Sequence, residues 1–330
     1  MKKSTMILAG LVILTVVILI VMMTNHKVYK VSPNESIQEV LNITEPGDII
    51  ELEAGIYNQS FETRRDGKKN NPIVIRGPKE AILKGDERYR TVRIFHDHIH
   101  MEGFTIDGLR GDGDSRSSYT NKLVYVLGQE EKQGIRGFKL INMTLKNSGG
   151  EAVRLRYYCR GAEIAYSRFI NIGVYDFKFN GSGKNGEGIY VGTSSTQWDQ
   201  DKNPTSGPDK SSNNWIHHNY FNTKGNECID IKEGADNNLI EYNNCTGQKD
   251  PESGGISVRG SNNTIRYNYI YDNLGAGIRI GGNTVNNVTY GRNNIIHNNR
   301  IINNNLGIKV LVEPQEIYNN TCEGNKEAKC

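Results

Sequence analysis

Short runs in which aliphatic and polar residues alternate recur through the second half of the chain. They read Gly188-Ile189-Tyr190-Val191-Gly192, Cys228-Ile229-Asp230-Ile231-Lys232, Gly255-Ile256-Ser257-Val258-Arg259, Gly277-Ile278-Arg279-Ile280-Gly281 and Gly307-Ile308-Lys309-Val310-Leu311, with a looser copy at Ala152-Val153-Arg154-Leu155-Arg156. The second and fourth residues of each copy are aliphatic, so a period of two turns them inward and their neighbours outward. Between these strands lies a second motif, Asn213-Asn214-Trp215-Ile216, repeated as Asn237-Asn238-Leu239-Ile240, Asn262-Asn263-Thr264-Ile265 and Asn293-Asn294-Ile295-Ile296. A repeat of roughly 20 to 50 residues marks a solenoid, and a leucine-rich or helical one would show a leucine-dominated or 3.6-residue period, which is absent. The pattern predicts an all-β chain, a right-handed parallel β-helix whose coils stack about 4.8 Å apart, with asparagines in register along the turns.

The ends of the repeat region fit this reading. Ser36-Ile37-Gln38-Glu39 is a capping box opening a short helix with Ile37, Val40 and Leu41 on one face, suited to plug the first coil. Pro46-Gly47-Asp48-Ile49-Ile50-Glu51-Leu52 and Asn71-Pro72-Ile73-Val74-Ile75-Arg76 read as early turn-plus-strand units. Two polar insertions, residues 108–122 and 193–212, are expected to form loops over one face. Lys2 and Lys3 precede an apolar run from Met6 to Met23 without a good cleavage site after it. Residues 1–26 are therefore expected to be an uncleaved signal-anchor, the alternative being a signal peptide, with residues 27–330 forming the exported β-helix domain.

Composition narrows the picture. The 36 glycines and the excess of asparagine suit tight turns, because both tolerate positive φ. A net charge of +3 without a basic-aromatic motif argues against nucleic acid as partner. Contact with a membrane is expected through the N-terminal segment only, and the chain is expected to be a monomer. Five cysteines leave at least one unpaired within the chain, Cys322 with Cys330 is the expected bridge, and no spacing suggests zinc. Nine Asn-x-Ser/Thr sequons, among them Asn58, Asn142 and Asn319, would accept glycans in a eukaryotic secretory route, although an asparagine-rich chain makes sequons by chance.

Superposing the strand copies lines up Arg154 and Arg156, Tyr190, Asp230 and Lys232, Ser257 and Arg259, Arg279 and Lys309 on the outer face. Such a basic column along a shallow groove suits a polyanionic chain such as a uronate polysaccharide, or it simply solvates an exposed sheet. Glu151, Glu187 and Glu227 precede three successive strands and should approach one another. Either a hard cation such as Ca²⁺, held by Glu187, Glu227 and Asp230, compensates their repulsion, or Arg154, Arg156 and Lys232 do so as ion pairs. His96, His98 and His100 alternate on one expected strand without carboxylates near them. His217 and His218 fall in the turn repeat, and Trp198 would either stack on a sugar or pack its loop down.

Asn226-Glu227-Cys228-Ile229-Asp230-Ile231-Lys232, followed one coil later by Ser257-Val258-Arg259-Gly260, resembles the active-site coils of the alginate lyase and chondroitinase B family of polysaccharide lyases. The resemblance implies β-elimination in an acidic polysaccharide, with Lys232 as Brønsted base, Arg259 on the leaving-group side, and Glu227 and Glu187 as calcium ligands. To accept a proton Lys232 must be neutral, and Arg259 with a cation nearby would lower its pKa. The outward column itself points to substrate contacts at Arg154, Arg156, Tyr190, Arg279 and Lys309. Gly225 stands where the family pattern has a second glutamate. The competing expectations are a non-catalytic glycan-binding β-helix, in which the same residues form a salt-bridge ladder, and a hydrolase using Glu187, Glu227 and Asp230.

Overall fold

The structure is a computed structural model and describes residues 26–86, 89–181, 185–327 and 330. The apolar run of residues 6–23, and with it the expected anchor, lies outside the described residues. Among those residues no helix is long and apolar enough to cross a membrane.

Each coil visits three parallel sheets of eleven, ten and nine strands in turn. One coil runs through Glu163–Ala165, Arg168–Ile172 and Ile189–Val191, and the next through Trp215–His217, Tyr220–Asn222 and Ile229–Ile231. The inward positions are those of the alternating pattern: Ile189, Val191, Ile229, Ile231, Ile256, Val258, Ile278 and Ile280 are all fully buried. Inside, Phe169 stacks on Phe221 at 4.5 Å between ring centroids. The helix Ile37–Ile43 forms as expected, with the Ser36 hydroxyl accepting the Glu39 N–H, and its buried Ile37 and Leu41 cover the first coil.

Parallel sheets leave the corners as the place where backbone polar groups need partners, and here three asparagine ladders meet that need. Asn214, Asn238, Asn263 and Asn294 are linked by side-chain amide bonds of 2.9, 3.0 and 3.2 Å. At the next corner Asn219, Asn243, Asn268, Asn299 and Asn320 are joined at 2.9 to 3.0 Å. At the third corner Asn273, Asn304 and Asn325 do the same. The first asparagine of each motif turns the chain instead. Asn213, Asn237, Asn262 and Asn293 sit at φ of 56°, 58°, 59° and 56°, in the left-handed region that asparagine tolerates.

The ladders should carry measurable stability. Asn243 donates to Asn268 Oδ1 and to the Ile216 carbonyl, and its Oδ1 accepts the backbone N–H of Asn219, all in a buried site. Asn243→Leu strands that N–H and that carbonyl, at a cost of about 1–3 kcal/mol for each unsatisfied buried group. Denaturant unfolding should show the midpoint fall with the slope unchanged. An unmoved midpoint would show that the ladder does not stabilise the stack.

Several sequence expectations need correction here. The three histidines do not share a strand: only His100 lies in Ile99–Glu102, His98 has φ of 52°, and the His96 Nδ1 lies 2.8 Å from the Thr63 hydroxyl. A chain that bends at each coil corner ends the strand before three alternate residues can be placed. Cys322 and Cys330 are bonded as expected, and Cys228 is bonded to Cys245, a pairing the sequence does not suggest. The latter bridge joins the start of one strand to a strand on the neighbouring sheet, so nothing in linear spacing marks it. Cys159 is free and buried.

Candidate active site

The nine-stranded sheet carries the predicted column. Its register runs Tyr125, Arg154, Tyr190, Asp230, Ser257, Arg279 and Lys309 from coil to coil. Superposition of the repeats placed these residues correctly. Their environment is another matter.

Arg154, Arg156 and Tyr190 are only 5, 6 and 4% exposed, and Asp230 is fully buried, so the N-terminal stretch of the column is not an open basic strip. The 193–212 insertion folds back over its Arg156 end, and Glu151, Tyr190 and Lys232 pack against the rest. Asn203 accepts a 2.7 Å bond from Arg156 Nε. Asp209, itself fully buried, takes the backbone N–H groups of Tyr157 and Tyr158 and the Thr193 hydroxyl. Trp198 packs edge-on against Tyr290 at 5.3 Å and donates its indole N–H to the Thr193 carbonyl, which settles it as a packing residue of the loop. Arg154 lies over the Tyr190 ring at 3.9 Å, and Lys232 Nζ lies 4.6 Å from the same ring.

The three glutamates divide into two kinds. Glu151 is satisfied by charge: Arg154 Nη1 and Lys122 Nζ each lie 2.7 Å from its carboxylate. Burial favours the neutral acid, but Lys122 and then Arg154 outweigh it and hold the group at about 2. Among the described residues Glu187 and Glu227 form no such ion pair. Burial, then the neighbouring charges of Glu151 and Glu227, push Glu187 well above the ordinary value of 4.5, and its Oε2 has no hydrogen-bond partner among the described residues. Burial and then Asp230 raise Glu227, whose Oε1 accepts the Ser253 hydroxyl. Of the two alternatives for the glutamates, the ion-pair one is met at Glu151 alone among the described residues.

Asp230 is the junction. Lys232 Nζ forms an ion pair with its Oδ2, and Arg259 Nε stands 3.9 Å from its Oδ1. Burial acts to raise the Asp230 pKa, but Lys232 and then Arg259 bring it below the ordinary value, and in return Asp230 holds Lys232 above the ordinary lysine range. This differs from the neutral lysine expected from sequence, because the carboxylate two residues upstream projects from the same face. One oxygen each from Glu187, Glu227 and Asp230 lie within 4.8 Å of one another. Three buried carboxylates at that separation, one with an orphaned oxygen, fit a hard cation that prefers oxygen ligands. Gly225 adds nothing to this set: a Cβ there would lie 2.6 Å from the Ile172 carbonyl oxygen. Close packing of the coils therefore excludes a glutamate at that position.

Sequence reasoning missed Glu233, Asn203 and Asp209. Glu233 is fully buried and accepts the backbone N–H groups of Ser195 at 3.2 Å and Asn283 at 3.3 Å, beside the lysine and arginine of the site. Its one advance signal was position, directly after Lys232 at the end of a repeat strand.

Fold and site together describe a β-helix with a cluster of buried charged side chains on its nine-stranded sheet. The right-handed β-helix region family model matches residues 124–292, about half the chain, and the protein belongs to that family. No curated protein sequence matches. Among solved structures the chain is similar to an alginate lyase from Paenibacillus sp. strain FPU-7, with TM-score 0.73 and 20% identity over 91% of this chain and 97% of that one. A pectate lyase aligns with TM-score 0.58 and 11% identity over 88 and 80% of the two chains. An endo-xylogalacturonan hydrolase from Aspergillus tubingensis aligns with TM-score 0.52 and 13% identity over 88 and 76%. At these identities the likeness is one of fold.

Proposed function

We propose that this protein is a polysaccharide lyase that cleaves an acidic, uronate-containing polysaccharide by β-elimination. The observation that carries the reading is the convergence of Lys232 and Arg259, from adjacent coils, on a carboxylate beside two further buried carboxylates that lack cationic partners of their own. The similarity of fold to alginate and pectate lyases supports it.

Lys232 Nζ would take the proton from C5 of the uronate. The electron pair left behind forms the C4–C5 double bond as the bond to O4 breaks, and the departing oxygen leaves with that bond's electron pair, its negative charge stabilised by Arg259 until it takes a proton from water. Glu187, Glu227 and Asp230 would hold Ca²⁺. Bound there, the cation would neutralise the uronate carboxylate and take the charge of Asp230 off Lys232. Tyr190, packed between Arg154 and Lys232, would fix the position of the lysine from beneath. The two disulfides support placing the domain outside the cytoplasm, anchored or secreted.

A hydrolase is the second reading, favoured by one observation: buried Glu187 and Glu227 are raised while Asp230 is lowered, and acid–base chemistry needs such a split pair. Incubation with alginate, pectate and dermatan-type polymers separates the two. The lyase yields absorbance from new C4–C5 double bonds, whereas a hydrolase yields reducing ends without it. Neither product from any polymer leaves a glycan-binding β-helix.

A further inference from the structure

The column around Lys232 is unequal at its two ends. Toward the N-terminus it is roofed. Asn203 holds Arg156, the Thr205 hydroxyl lies 2.8 Å from that of Tyr157, and Arg154 is spent on Glu151. On the opposite flank Tyr175, 9% exposed, donates its hydroxyl to the Tyr119 carbonyl at 2.8 Å and so joins the 108–122 insertion to the short helix Val174–Phe177. Toward the C-terminus the column opens: the side chains of Arg259 and Lys309 are 25 and 27% exposed, and Arg279 is half-buried. Among the described residues Arg279 pairs with no carboxylate, its Nη1 donating to the Gly281 carbonyl, and Lys309 faces only the largely exposed Glu252 at 3.7 Å.

The lateral wall beside this open stretch is fixed. The 193–212 insertion and the hairpin formed by Thr284–Val285 and Val288–Thr289 leave coils separated by two others, yet they meet. Asn283 Nδ2 donates to the Ser195 hydroxyl at 2.9 Å, Trp198 packs on Tyr290, and Glu233 binds the backbone of both segments. Next to Lys232, the half-exposed cations of the column therefore lie on its C-terminal side, and the coil immediately before it is roofed by protein held in place by hydrogen bonds.

We infer that the groove is blind-ended and takes the end of an acidic polysaccharide chain, its terminal sugar beside Lys232 and the following sugars over Arg259, Arg279 and Lys309. The inference rests on the proposed lyase reading and adds that cleavage proceeds from a chain end.

Two measurements test it. With the polymer that gives the largest double-bond absorbance, size-exclusion chromatography should show unsaturated mono- or disaccharides from the first stage of reaction while the polymer peak persists. Arg279→Ala and Lys309→Ala should each raise KM several-fold with kcat little changed. A ladder of intermediate unsaturated lengths with early collapse of the polymer peak overturns the blind groove and leaves the lyase standing. Independently of chemistry, titration of Lys232→Arg protein with alginate fractions of increasing length should give a single protein per chain at every length. Stoichiometry that grows with length overturns chain-end docking whether or not any product forms, and absence of binding to every fraction of alginate and, in parallel titrations, of pectate and dermatan-type polymers overturns both readings.

Discussion

Lys232→Arg should abolish the double-bond absorbance while leaving the protein folded. Arginine keeps the positive charge facing Asp230 but does not deprotonate in proteins, so it preserves the buried ion pair and removes the base. Loss of general base catalysis is worth about 10²- to 10⁴-fold in rate. Lys232→Ala should be as inactive and also less stable, because it leaves Asp230 charged and fully buried, and breaking a buried pair in this way costs about 3–5 kcal/mol. The two variants together separate chemistry from folding: equal loss of activity with unequal unfolding midpoints is the expected pattern. Substantial turnover by either variant would remove Lys232 from the mechanism.

Calcium should rescue a stability that the metal-free protein loses as pH rises. Glu187 and Glu227 titrate above their ordinary value of 4.5 in the folded chain. Between that value and their folded values the native state holds more protons than the unfolded one, so raising pH favours unfolding. Their contribution is fully present below about pH 4.5 and is lost as pH climbs through the folded values. Glu151 and Asp230 have the opposite sign, since their values are lowered. Their stabilisation is present above the ordinary carboxylate range and is lost on acidification, for Glu151 as pH falls toward about 2. The metal-free unfolding temperature should therefore pass through a maximum in mild acid and decline toward pH 8. Added Ca²⁺ should raise it at pH 8 far more than at pH 5, the gain corresponding to about 2.7 kcal/mol of stability when calcium stands at 100 times its dissociation constant. Glu187→Gln should flatten both the pH decline and the calcium response. A full calcium response in that variant would place the cation elsewhere.

Much of this protein was readable in one dimension because its stabilising interactions repeat. Ile229 and Ile231, or Asn219 and Asn243, meet residues of the same kind one coil away, so aligning sequence copies amounts to aligning strands. For the same reason the neighbouring placement of Lys232 and Arg259 followed from register alone. Residues whose partners lie off the repeat were not readable in this way. Glu151 finds Lys122 at the end of an insertion, Cys228 finds Cys245 across a corner, and Arg156 finds Asn203 in a loop with no counterpart in other coils.

The sequence by itself determined the β-helix, its capping helix, the asparagine corners and the order of side chains along the nine-stranded sheet. Each of these depends on a period of two or of one coil, and hydrophobic burial enforces such periods locally. Only the tertiary structure decided which of those side chains meet solvent and which glutamates are neutralised by neighbouring cations. Those outcomes depend on the paths of the insertions, which are set by single contacts such as Asn203 to Arg156 and Glu233 to Ser195 and Asn283, and contacts made once leave no pattern along the chain.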